Sequence, residues 1–301
     1  MTIKERFDIP TGGKHICPLL FLVLFATLLM FNNNAEASRS NELNFETCID
    51  SADYYSSVKR WADAERFTVN ALRLKPANKT NWLLWANLAE IRHNLNDTDG
   101  ALTAYDIGLS LQPLSERMLS GRASLLIEEK RMDEAITDLN TLLKNDSTLE
   151  WPRMIRAMLL LEMGQRSKAE DDYNILKQQY PTNVQAYNGL AAIHAMDGDT
   201  DKAIDLYTQS LNIQPDVDAY FYKIMLQADH GQLQQASETL RQAMKEYPRN
   251  GNLFLLRAYL HKLNFQNEAA EIALKLAVEY GADPHLIEKI FPKNRSNKGK
   301  K

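Results

Sequence analysis

The sequence predicts an all-α chain, a solenoid of about seven stacked helical hairpins spanning residues 45–284. Three observations predict it. Glycine and proline are scarce, at 12 and 10 in 301 residues. The Val-Ile-Thr alternation that marks strands is absent. An alanine-centred pattern recurs about every 34 residues, a period that signals a repeat architecture. The hydrophobic share of 45% and charged share of 25% are those of a folded soluble protein. A formal net charge of −4 offers no electrostatic case for nucleic acid.

The first element is a targeting signal. Lys4, Arg6 and Lys14 precede an apolar run from Cys17 to Phe31. That run is shorter than the roughly 20 residues a membrane-spanning helix needs. Asn32-Asn33-Asn34 and then Ala35-Glu36-Ala37 follow, an A-x-A pattern. Residues 1–37 therefore read as a secretory signal peptide cut between Ala37 and Ser38; the alternative is an uncleaved membrane anchor. A lipobox would place its cysteine at the end of the run, and Cys17 stands at the start. The mature chain keeps only Cys48, so no intramolecular disulfide can form. That suits an exported bacterial envelope protein, periplasmic or secreted, better than a disulfide-stapled extracellular scaffold. Sequons at Asn78, Asn96, Asn145 and Asn294 matter only in a eukaryotic source.

After a short linker, 38–44, comes the array. Ala64, Ala101, Ala135, Ala169, Ala203, Ala236 and Ala270 are separated by 37, 34, 34, 34, 33 and 34 residues. Twelve residues before each stand Ala52, Ala89, Ala123, Ala157, Ala191, Ile224 and Ala258, an independent check on the register. Proline follows twelve residues after the alanine at Pro76, Pro113, Pro181, Pro215 and Pro248. The repeats are 45–78, 82–115, 116–149, 150–183, 184–216, 217–250 and 251–284. Within each, positions 4, 7, 8 and 11 share one face of a first helix, and positions 20, 24 and 27 one face of a second. Small residues at 8 and 20 let the two axes approach closely. Asn96, Gly164, Gly198 and Gly231 stand where the first helix ends. Asp97, Asp199 or Thr200 stands where the second is capped, and the proline closes it. Three residues inserted between Pro76 and Trp85 offset the first hairpin, leaving Trp82 or Trp85 for position 4.

These repeats resemble the tetratricopeptide repeat family, whose pattern has Trp at 4, Leu at 7, Gly or Ala at 8, Tyr at 11, Ala at 20, an aromatic at 24, Ala at 27 and Pro at 32. The second repeat matches it best, with Trp85, Leu88, Ala89, Ala101, Tyr105 and Pro113. Position 11 departs most, holding Arg92, Leu126, Leu160, His194, Gln227 and His261. The resemblance implies a right-handed α-α superhelix whose first helices line a concave groove through positions 2, 5, 9, 12 and 13. It implies a groove for a peptide or helix of a partner protein built from Trp151, Met154, Met158 and Leu161 in the fourth repeat and Asn188 and Met196 in the fifth. The sixth contributes Phe221 and Met225, with Asp218 and Asp229 also at groove positions, and the seventh contributes Leu255 and Tyr259. Methionine and aromatic residues suit an adaptable apolar groove. The alternative is that they only touch second helices of their own array. On the groove reading, Phe221→Glu with Met225→Glu abolishes partner capture and leaves the array folded. No consecutive set of repeats supplies the carboxylate clamp of chaperone-binding relatives.

Chemistry is not expected. Nucleotide-binding, zinc-protease, serine-hydrolase and C-x-x-C motifs are missing, so neither an enzyme nor a cofactor site is predicted. His194 and His261 occupy a packing position, and Cys48 at position 4 reads as core. Asp197-Gly198-Asp199-Thr200-Asp201 mimics the start of a calcium loop, but Lys202 stands where the glycine belongs and Thr208 where the twelfth-place glutamate belongs. Residues 285–292 are a candidate cap, since a stacked array needs a closed end. Residues 293–301 form a tail with five basic and no acidic side chains, which leaves the preceding body near −9. The expected function is a non-enzymatic scaffold for a protein partner. The alternative is a spacer or assembly factor of an envelope membrane complex, using its outer faces and touching the membrane through the tail or an uncleaved N-terminal segment.

Overall fold

The computed structural model describes residues 44–292. The expected signal peptide, all but the last linker residue and the basic tail lie outside them. Fifteen α-helices and no strand occur among the described residues, which divide into two compact units at Pro113–Leu114.

In the first unit, α1 (Phe45–Ser57) pairs with α2 (Trp61–Leu74) and α3 (Asn81–Asn94) with α4 (Thr98–Leu111), while α2 packs on α3. Cys48, Ala52, Ala64 and Ala89 are buried, so small side chains occupy the places where helix axes meet. Burial pushes the Cys48 thiol pKa up, which makes it a packing group and not a ready nucleophile. The inserted loop is closed by buried Asn81, whose amide donates to the carbonyls of Lys75 at 2.7 Å and Pro76 at 3.2 Å. With Ala89 at position 8, Trp85 takes position 4, and both Trp82 and Trp85 are half-buried.

The second unit continues with hairpins α5 (Glu116–Glu128)/α6 (Met132–Asn145), α7 (Glu150–Glu162)/α8 (Arg166–Gln179) and α9 (Val184–Asp197)/α10 (Thr200–Ile213). Then follow α11 (Val217–Asp229)/α12 (Leu233–Glu246), α13 (Gly251–Leu263)/α14 (Asn267–Glu279) and a short terminal helix, α15 (Pro284–Ile290). Each second helix packs on the next first helix, and α15 packs on α13. Leu286, Ile287, Ile290 and Phe291 of this last segment cover Phe254, Leu255 and Ala277.

All seven hairpins turn in the same way. Lys59, Asn96, Lys130, Gly164, Gly198, Gly231 and Phe265 adopt left-handed backbone conformations, spaced like the alanines. At each, the N–H of that residue reaches back three residues and the next N–H reaches back five, as in Gly164→Leu161 at 3.0 Å and Gln165→Leu160 at 2.8 Å. This is a Schellman closure, which satisfies carbonyls the helix end leaves open. Asp97 caps α4 by accepting from Gly100 N at 3.0 Å. Asp199 holds the matching place before α10 but makes no capping bond; its carboxylate lies 3.4 Å from His194.

Positions 20, 24 and 27 are buried nearly throughout, as the spacing requires. The first helices differ from expectation. Positions 3 and 10 are also buried, through Leu84, Met118 and Leu253, and through Ile91, Leu125 and Ile193. Each first helix is packed by its own partner and by its neighbours, so the buried arc is wider than one stripe. Position 7, expected apolar, holds Arg122 and Arg156, each answered by an aspartate at position 23 of its own hairpin. Arg122 donates to Asp138 at 2.8 and 2.6 Å, and Arg156 to Asp172 at 2.7 Å through two nitrogens. Arg153, 6% exposed, joins Asp172 at 3.0 Å, so one buried carboxylate holds two guanidinium groups.

Candidate functional site

Within the second unit, residues of α7 to α11 line a concave pocket of about 630 Å³. Its floor contains Tyr173, Gly189 and Tyr207, all buried. Its exposed edge carries Met158, Met196 and Tyr222, at 47%, 57% and 54% exposure. A β-carbon on Gly189 would lie 2.3 Å from the Tyr173 ring, so only glycine lets that ring lie flat in the floor. The Tyr207 and Tyr222 rings stack 6.2 Å apart at 18°, and Phe221 meets Tyr222 edge-on at 5.7 Å. Burial first, and Asp172 second, push the Tyr173 phenol pKa up to about 12. Burial and then Tyr222 push Tyr207 up further.

The charged lining is acidic. Asp216, Asp218 and Asp229 line the pocket, and among the described residues no Lys, Arg or His does. Asp216 caps α11 by accepting from Ala219 N at 2.7 Å. Asp229 accepts from the Tyr259 hydroxyl at 2.8 Å; burial and then that bond push the Tyr259 pKa up to about 12. The Asn188 Oδ1 atom is buried and has no hydrogen-bond partner. This lining offers aromatic surface, thioethers and acceptor atoms, which is equipment for recognition. His194 lies outside it, near Glu170 at 3.8 Å and Asp199 at 3.4 Å. Among the described residues, no group of three or more His, Cys, Asp or Glu side chains is placed to hold a metal.

Of the residues expected in a groove, Met158, Asn188, Met196 and Met225 line the pocket. Trp151 is 37% exposed but outside the lining. Met154 and Leu161 are half-buried against the core around Leu190 and Ile193. Phe221, Met225 and Tyr259 pack against the core of Tyr220, Ile224 and Leu253. Leu255 is fully buried beside Phe254, which corrects its expected place: the terminal segment around α15 covers the position that an open seventh repeat would display. Phe221 and Met225 also carry core packing, so their joint replacement by glutamate tests folding together with binding. Sequence reasoning missed Tyr173, Tyr207 and Tyr222. The first two stand in the packing column at position 24, and their faces toward the pocket become visible only once Gly189 and the alanines of α9 leave room.

The comparisons agree with this architecture. A tetratricopeptide repeat model matches residues 86–150 and 156–218, and a second matches 218–250. The chain belongs to the tetratricopeptide repeat family. A tetratricopeptide repeat protein from Parabacteroides merdae is similar, with a TM-score of 0.61 and 24% identity over 82% of this chain and 96% of that one. Pseudomonas aeruginosa pilF gives 0.54 and 15%, over 70% and 92%. YrrB, described as a TPR protein with an unusual peptide-binding site, gives 0.50 and 18%, over 60% and 92%. No curated protein matches the chain. At such identities the solved structures establish the fold, and family membership makes this tetratricopeptide repeat array a scaffold for protein interaction.

Proposed function

We propose that this tetratricopeptide repeat protein holds an extended or helical segment of a partner protein in the pocket of its fourth to sixth repeats, and does so in a bacterial envelope after export. The observation that carries the reading is the pocket itself: exposed Met158, Met196 and Tyr222 surround a floor of Tyr173 and Tyr207. Large apolar side chains gathered around a concavity mark a binding surface. The peptide-binding site ascribed to YrrB supports the same use of the fold. The Lys4-to-Ala37 signal pattern supports export.

The decisive variant is Met158→Glu with Met196→Glu, because both side chains are exposed and neither holds the core together. Cross-linking in the native cells followed by mass spectrometry is expected to capture a partner with the wild-type chain and to lose it with the variant, at unchanged helicity. Retention of the same partner by the folded variant overturns the groove and favours a spacer that uses outer faces. The same spectra read the mature amino terminus, expected at Ser38; an intact Met1 overturns cleavage.

A further inference from the structure

We infer that the segment held in this groove is cationic as well as apolar, with a Lys or Arg next to its large apolar side chains. The inference rests on the groove reading and narrows it. Three carboxylates, Asp216, Asp218 and Asp229, line one pocket that no basic side chain among the described residues lines. Asp229 ends α11, and the last turn of that helix carries no basic residue. Its carboxylate therefore adds to the negative end of the helix dipole, where a cation would normally be favoured. The Tyr259 hydroxyl gives Asp229 one hydrogen bond and no charge. Asp218 has no ion-pair partner among the described residues. The buried Asn188 Oδ1 atom, also in the lining, lacks a donor, and an unmet buried acceptor costs free energy until a donor arrives. The Tyr222 face, 54% exposed at the edge, offers a cation a further contact. Asp218 and Asp229 stand at opposite ends of α11, about 16 Å apart by helical rise, so basic side chains spaced along an apolar segment meet these demands, and a carboxylate meets none.

The test uses three fluorescein-labelled 15-residue peptides with the same Leu, Phe and Ala content, flanked by Lys/Arg, by Gln/Ser or by Glu. Binding to the full chain is read by fluorescence anisotropy at low and moderate salt. The basic peptide is expected to bind at least about tenfold more tightly than the Glu peptide, the size of one charge-assisted contact. Asp218→Asn with Asp229→Asn is expected to remove that preference. Asp133→Asn with Asp171→Asn, an exposed pair outside the groove lining with the same change in charge, is expected to leave it intact. Equal loss from both pairs would mean general attraction to an acidic body, and overturns the inference. Preference for the Gln/Ser or Glu peptide overturns it too, while Met158→Glu/Met196→Glu sensitivity of that binding would leave the groove standing. Binding of none of the three peptides overturns the groove reading and this inference with it.

Discussion

Tyr173 of α8 lies against the backbone of Gly189 in α9, where a β-carbon on the glycine would fall 2.3 Å from Cζ of the ring. The ring is 3% exposed and packs with the core of Leu176, Leu190 and Ala191, so a methyl group on the glycine fits only if the ring moves out of that packing. Gly189→Ala should therefore destabilise the array by about 1–3 kcal/mol, although alanine is the better helix former by roughly 1 kcal/mol. Urea unfolding of Gly189→Ala, Tyr173→Leu and the double variant is expected to show coupling, with the double variant less stable by clearly less than the sum. Strict additivity would refute the contact.

The hairpin turns offer a cleaner gain. Phe265 has φ 58 and is 91% exposed, so it carries the left-handed backbone penalty with almost no packing in return. Phe265→Gly is expected to raise stability by about 1 kcal/mol, and Gly198→Ala, at φ 88, to lower it by a similar amount. Denaturation and amide exchange at the two hairpins check this; a less stable Phe265→Gly would show that the ring has a partner to lose.

Asp172 holds Arg156 at 2.7 Å and Arg153 at 3.0 Å and is itself 3% exposed. Asp172→Ala leaves two guanidinium groups without their carboxylate, one of them buried. The expected loss is about 3–5 kcal/mol. Thermal or urea unfolding of Asp172→Ala beside Asp171→Ala, the exposed neighbour, separates this effect from a general loss of charge. A loss below about 1 kcal/mol would mean that solvent takes over the role of Asp172.

Alkaline pH should unfold the array earlier than ion-pair loss alone predicts. Burial raises the Tyr173 pKa from 10.0 to about 12, so between those values the folded chain keeps a proton that the unfolded chain has lost. Stability from this group is complete below pH 10 and falls as pH rises toward 12. Two units correspond to about 3 kcal/mol. Tyr173→Phe is expected to flatten the stability profile over that window, measured by urea unfolding from pH 8 to 12. A variant as steep as wild type would show that the phenol is hydrated in the folded state.

The hairpin period and the alanine columns are legible in the sequence because each rests on local chemistry. Ala64 through Ala270 recur since axes can touch only where side chains are small. Four of the seven left-handed turn positions, Asn96, Gly164, Gly198 and Gly231, announce themselves by residue type. Lys59, Lys130 and Phe265 do not, since hydrogen bonding within the closed helix end imposes that conformation on whatever residue stands there.

The groove was only half legible. Position 5 of the repeat frame holds Met154, Asn188, Phe221 and Leu255, and every one of them is half-buried or buried. Positions 9 and 13 hold Met158 and Met196, which are open. A helical period gives the angle at which a side chain leaves its axis, and that much the sequence determined by itself. Whether another helix already occupies that direction depends on neighbours brought together by stacking. The tertiary structure alone decided that α15 and its flanking residues cover Leu255, that Gly189 makes room for the Tyr173 ring, and that three aspartates share a pocket lined by no cation among the described residues.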